Sequence, residues 1–246
     1  MISFEPIAHR YSVIGKGVDL KSVSYLISLV KQPFDREHWL VKKAKERGIT
    51  REELDEEWKL INKLATDKGT TYHEVREERY LKNKGIPSLS QDGLKIAHDL
   101  SDLKPGLYPE LMLYNFNYMV AGTSDCVTIY PDKTFSIGDF KTNKKLEFKG
   151  FKKYDPDYKE KRTVRMKFPL QHIDDCNGMH YTIQLSTYAL LLEEFGYKCK
   201  ELYIDHIVFD GDEPVNEIRY PIQYLKREAE SLLKYYKSIR NNGKNP

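Results

Sequence analysis

GTSDCVTIYPDKTFSIGDFK, residues 122–141, reads as a β-hairpin. Its two halves, 122–130 and 134–141, are rich in β-branched and aromatic side chains, and Pro131, Asp132 and Lys133 between them have the composition of a turn. Folding about Asp132 and Lys133 sets Asp125 opposite Asp139 or Phe140, and directly opposed side chains lie about 5 Å apart at Cβ. Strand side chains alternate, so Asp139 and Lys141 point to one side. Facing carboxylates repel unless a proton or a cation lies between them. The pattern therefore asks for a hard metal ion with an amine beside it.

The rest of the chain sets limits on that reading. With 246 residues, 40% of them hydrophobic, it has material for one sizeable core, and nothing in the composition forces a second domain. The net charge of +3 is too small to imply a polyanionic partner by itself. No apolar run approaches the roughly 20 residues of a membrane span, and residues 1–10 lack the layout of a signal peptide, so the expectation is a soluble intracellular chain with no membrane partner. Cys126, Cys176 and Cys199 are odd in number and scattered. They fit neither a disulfide framework nor a CxxC site, and an iron–sulfur cluster would need four thiolates.

Upstream, residues 1–66 read as a mainly helical part after a strand-like piece at 11–14. Ser22, Asp35 and Thr50 are N-caps for helices reaching about residues 29, 47 and 64. Thr71 with Glu74 has the spacing of a capping box, which predicts a new helix from there to about residue 82 with His73 in its first turn. Free amides at such an end suit an anion, and His73 shares a face with Glu77; a plain surface pair between those two is the other reading. Residues 110–120 read as an aromatic-rich strand, or as a hairpin turning at 115–117, with Glu110 at its start. Residues 180–195 form an apolar helix on which Gln184 and Tyr188, four apart, are the polar exceptions; a strand at 203–209 and a terminal helix at 221–241, opened by Pro221, complete the order. This succession predicts an α/β fold with a central mixed β-sheet flanked by α-helices.

Residues 144–167 differ in character, with ten basic residues against four acidic and a net charge of +6. Lys144, Lys145, Lys149, Lys152, Lys153, Arg162 and Arg165 are interleaved with Phe148, Phe151, Tyr154 and Tyr158. Amines that follow phosphates and rings that stack on bases suit single-stranded nucleic acid, while a solvated insertion at 143–168 is the alternative.

Taken together, Gly122-Thr-Ser-Asp125 and Ile137-Gly-Asp139-Phe-Lys141-Thr142, flanked by Gly69-Thr-Thr-Tyr-His73 and Gln184-Leu-Ser-Thr-Tyr188, resemble the PD-(D/E)xK nuclease superfamily. The outer motifs are similar to those of its RecB-type branch, which includes CRISPR-associated exonucleases and the mitochondrial genome maintenance exonuclease. The resemblance spans about residues 69–192. It implies a restriction-endonuclease-like core at 69–209 within a single nuclease domain, 1–246. It further implies one or two Mg²⁺ or Mn²⁺ ions on His73, Asp125 and Asp139, with Glu110 as a further ligand or a base-side catalytic acid and Lys141 acting on the attacking water. Gln184 and Tyr188 would position the DNA backbone or Lys141. The implied activity is hydrolysis of phosphodiester bonds, as an exonuclease on single-stranded or free-ended DNA in recombination, repair or phage DNA processing. No helicase signature is present, so unwinding would fall to a helicase or recombination partner. A structure-specific endonuclease of the same fold, a non-catalytic nucleic-acid-binding module acting through residues 144–167, and a plain α/β domain remain the alternatives.

Overall fold

The predicted hairpin forms, and the sheet grows from it. The computed structural model describes residues 1–155 and 157–243; Pro156, inside the basic segment, and residues 244–246 lie outside the described residues. Strands β1 (Ile2–Glu5), β2 (Arg10–Val13) and β3 (Val18–Ser22) lead into helices α1 (Val23–Val30), α2 (Arg36–Arg47) and α3 (Arg51–Lys82). Two short strands, β4 (Leu89–Gln91) and β5 (Leu94–Ile96), precede the central β6 (Gly106–Asn115), β7 (Val120–Ile129) and β8 (Thr134–Lys141). After a small hairpin of β9 (Lys152–Asp155) and β10 (Glu160–Thr163) come α4 (Asn177–Glu193), β11 (Lys198–Asp210), β12 (Glu213–Ile222) and α5 (Lys226–Asn241).

The sheet is mixed: β6, β7 and β8 run antiparallel, β11 lies parallel to β8, and β12 closes the edge antiparallel to β11. On its other flank β7 pairs in parallel with β3 at Lys21 and Ser22, which joins the N-terminal strands to the same sheet. Helix α4 covers one face, packed with α1 and α5 over Phe135 and Ile137, and α3 covers the other, where Phe140 meets Tyr72 and Tyr80. Each large apolar side chain buried in that core contributes about 1.5–3 kcal/mol.

The N-caps at Ser22, Asp35 and Thr50 form as expected, and Thr50 with Glu53 makes a reciprocal capping box. Asn115 accepts the Tyr118 backbone N–H at 3.0 Å, so 110–120 includes a hairpin turn. The expected helix start at Thr71 is corrected: α3 is one helix of 32 residues, and His73 lies inside it, with no free helix-end amides for an anion. Thr71 and Glu74 match the box pattern, but their amides are already engaged in the helix. Gly69 costs the helix about 1 kcal/mol. There α3 passes close to the residue after β8, since a Cβ would come within 3.2 Å of Thr142 Oγ1.

The start of the terminal helix is also corrected. Pro221 pairs with Tyr203 at the end of β12, and α5 begins at Lys226. As an edge strand, β12 accommodates a residue without an N–H. The N-terminal part is less helical than expected, because β1 and β3 flank the anticipated strand. Among the described residues no helix is long and apolar enough to cross a membrane.

Candidate active site

Pairing between β6 and β7 brackets Glu110 and Asp125, with Pro109 opposite Cys126 and Leu111 opposite Ser124, so the two carboxylates stand across from each other. Glu110 has φ +52°, a left-handed conformation rare for a side chain of this type and a feature that clusters at functional sites. On the other side of β7, the ladder to β8 reaches Cys126 and Gly138. One step beyond it, Asp125 Oδ2 accepts the Phe140 backbone N–H at 2.6 Å. From α3, His73 Nδ1 approaches Asp125 Oδ1 at 3.4 Å, a loose contact. One ligand atom from each of His73, Glu110 and Asp125 lies within 4.8 Å of the other two.

Of the expected ligands, three therefore stand together and one stands apart. Glu110 joins His73 and Asp125, whereas Asp139 lies outside that cluster, buried at 2% exposure with its carboxylate against the Lys141 ammonium. Asp139 Oδ2 touches that ammonium as an ion pair yet receives no well-directed hydrogen bond. Lys141 Nζ also lies 4.7 Å from the centre of the Tyr181 ring. The Tyr181 hydroxyl donates to Asn143 Oδ1 at 2.8 Å, which steadies that ring beside the amine.

The electrostatics describe a site short of positive charge. Burial and then Asp125 push Glu110 up to about 7. Burial likewise pushes Asp139 up to about 7, against the pull of Lys141. Burial alone would raise Asp125 too, but His73, Lys141 and the Phe140 amide outweigh it and hold that carboxyl below its usual range. Burial would lower His73, and the Asp125 carboxylate more than reverses this. Burial opposes charge on Lys141 as well, and Asp139 with Asp125 raises it above the usual range for lysine. Protons thus take up the negative charge that a cation could neutralise.

Gln184 Nε2 donates to the Tyr188 hydroxyl at 3.1 Å. Tyr188 is buried, with its ring filling the space over Gly122, where a Cβ would meet it at 2.6 Å. Tyr188 therefore holds Gln184 in place from beneath. Both border a cleft of about 590 Å³ that also contains His73, Glu110 and Asp125. The alternative, a plain surface pair between His73 and Glu77, does not form, and Glu77 faces Lys95 at 3.9 Å.

Among its described residues, the basic segment forms an arm built on the β9–β10 hairpin. Lys144, Lys145 and Lys149 lie exposed on its approach, while Lys152, Lys153 and Arg162 are exposed on the β9–β10 hairpin. A second cleft, about 740 Å³, runs between this hairpin and Gln32. Arg165 serves the root of the arm, paired with Asp174 and donating to the His172 carbonyl at 2.9 Å.

Three participants were not anticipated. Tyr181 precedes Gln184 by three residues, a spacing that puts both on one helix face and could have pointed to it. Phe4 and His9, from the β1–β2 hairpin, border the same cleft as the carboxylates and carry no sequence signal. Comparison of the chain with protein-family models and with curated proteins returns no match.

Proposed function

We propose that this chain is a divalent-metal-dependent deoxyribonuclease with a restriction-endonuclease-like core. The observation that carries the reading is the convergence of His73, Glu110 and Asp125 within 4.8 Å, beside a buried lysine on the next strand. Further support comes from the mixed sheet, in which antiparallel β6–β8 are joined through α4 to the parallel β11. The four motifs that resemble RecB-type nucleases also converge. Gly69 and His73 come from α3, Asp125 and Asp139–Lys141 from β7 and β8, and Gln184 with Tyr188 from α4.

The donor set fits a divalent cation. Two carboxylates suit hard ions such as Mg²⁺, and the imidazole nitrogen shifts the preference toward Mn²⁺. Bound there, such an ion would attract a phosphodiester and acidify a water. The chain's own residues supply the rest. Glu110, ionised when it holds the ion, would accept a proton from the attacking water through its other carboxylate oxygen as the water oxygen bonds to phosphorus. Lys141 places a fixed positive charge beside the oxygens on which negative charge builds as the bond to the leaving oxygen breaks. Gln184, held by Tyr188, has its amide oxygen free to orient a water or a sugar.

The substrate is DNA with single-stranded or free ends, gripped by Lys144, Lys145, Lys149, Lys152, Lys153 and Arg162, and the activity is exonucleolytic. The test is incubation with end-labelled linear and circular DNA, single- and double-stranded, in Mg²⁺ and in Mn²⁺. Digestion of linear DNA with circles intact is expected. Binding without hydrolysis in either ion would instead support a binding module acting through the exposed arm.

A further inference from the structure

Beside the carboxylates, the cleft has an aromatic wall. Phe4 on β1 pairs in register with Tyr11 on β2, their ring centres 4.6 Å apart. The His9 ring stands edge-on to Phe4 at 5.2 Å, carried on a residue with φ +47° that turns it back over the strand pair. Tyr11 is buried, and its hydroxyl shares a hydrogen bond of 2.9 Å with Thr123 Oγ1, two residues before Asp125. The ledge is therefore tied to β7, both by this bond and through the pairing of β3 with β7. Phe4 and His9 border the cleft that contains His73, Glu110 and Asp125, and His9 is exposed.

A hydrophobic pair would stabilise a hairpin without reaching into a charged cleft. An exposed imidazole beside a phenyl ring, next to acids suited to a cation and a phosphate, offers a π-face to whatever is attached to that phosphate. We infer that His9, propped edge-on by Phe4, forms a stacking ledge for one unpaired nucleobase adjacent to the phosphate in the cleft, so that the site selects single-stranded or frayed ends. This rests on the nuclease reading for the phosphate, while the ledge itself is read out by base contact alone. Stacking tolerates any base, so the ledge senses whether a base is present and not which one. A base inside a duplex is stacked on both faces and is not available to it.

The test uses the full chain and single-stranded oligonucleotides of about 15 nucleotides, matched to the site sizes of single-strand binders. Each carries one abasic residue at a successive position, and binding is followed by fluorescence anisotropy with Ca²⁺ replacing Mg²⁺ and Mn²⁺. For the unaltered protein one position is expected to stand out, with affinity reduced about tenfold when the base is missing. In His9→Asn, which removes the ring but keeps a residue tolerant of positive φ, and in Phe4→Ala, that penalty falls to about twofold or less. His9→Asn decides the matter if Phe4→Ala loosens the hairpin, and melting curves report which has occurred. A flat abasic profile, a profile unchanged in His9→Asn, or no single-strand binding overturns the ledge. Cleavage of the unmodified oligonucleotide in Mn²⁺ is scored separately. Its absence alongside an intact abasic profile removes the nuclease reading and leaves the ledge standing.

Discussion

Asp125 accepts the backbone N–H of Phe140 at 2.6 Å, directly beyond the last ladder pair between β7 and β8. One carboxylate oxygen thus stitches the two central strands while the other turns toward His73. A structural and a chemical role meet in one side chain, and this shapes how the site responds to substitution.

Asp125→Asn keeps an oxygen that can accept from Phe140 but loses the charge. The fold should persist, while Mn²⁺ affinity measured by calorimetry drops by at least about 100-fold, since even the supporting partners of metal ligands are worth 10–100-fold. Unchanged Mn²⁺ binding would remove Asp125 from the ligand set.

Lys141→Met strands the buried Asp139 carboxylate without its cation. Cleavage is expected to fall by about 10²–10³-fold, the scale of losing one positioned charge, with DNA binding retained. Breaking a buried pair from one side is strongly destabilising, whereas removing both charges is far milder. Asp139→Asn/Lys141→Met should therefore melt above Lys141→Met. The opposite order would mean that the pair is not a coupled unit.

Glu110 makes the metal-free protein sensitive to pH. Its carboxyl is raised to about 7 in the fold from an ordinary value of 4.5. The stability it contributes is fully present below about 4.5, where folded and unfolded chains are both protonated, and is lost as pH rises through about 7. In EDTA, Glu110→Gln should match the unaltered protein near pH 4.5 and exceed it by on the order of 3 kcal/mol at pH 8. Added Mn²⁺ should narrow or reverse that gap, because a carboxylate at position 110 would bind the ion far better than an amide. Urea unfolding across this pH range provides the measurement, and a constant difference would contradict the raised value.

Gly122→Ala should destabilise the fold through Tyr188. Its Cβ would lie 2.6 Å from one ring carbon and 2.7 Å from the hydroxyl of a fully buried side chain. Overpacking of this kind costs about 1–3 kcal/mol. Thermal melts read the loss, and reduced cleavage should accompany it, as Tyr188 withdraws from Gln184. A variant as stable as the parent would show that the ring moves freely.

The arm should act through charge. Replacing Lys152, Lys153 and Arg162 with alanine is expected to weaken single-strand binding and to flatten its logarithmic salt dependence by about 2, at roughly 0.7 per phosphate contact. An unchanged slope would place the strand elsewhere.

The hairpin at 122–141 was legible from residue types because alternation and turn chemistry act over two to five residues, and the caps at Ser22, Asp35 and Thr50 are equally local. The same locality misled at Thr71, where a capping pattern sits inside an uninterrupted helix, and at Pro221, where an edge strand accepts a proline. His73 and Glu110 were both legible as candidates, but their meeting was not. Glu110 faces Asp125 only through the register of β6 on β7, and His73 arrives only because α3 runs unbroken across the sheet.

Local chemistry in the chain was thus enough to identify the acidic hairpin, its lysine and the basic arm. Which acids stand close to one another, that Asp139 instead pairs with Lys141, and that Phe4 and His9 border the same cleft follow from packing between segments distant along the chain. Strand register and helix crossing are set by the burial of a common core, and no spacing along the chain encodes them.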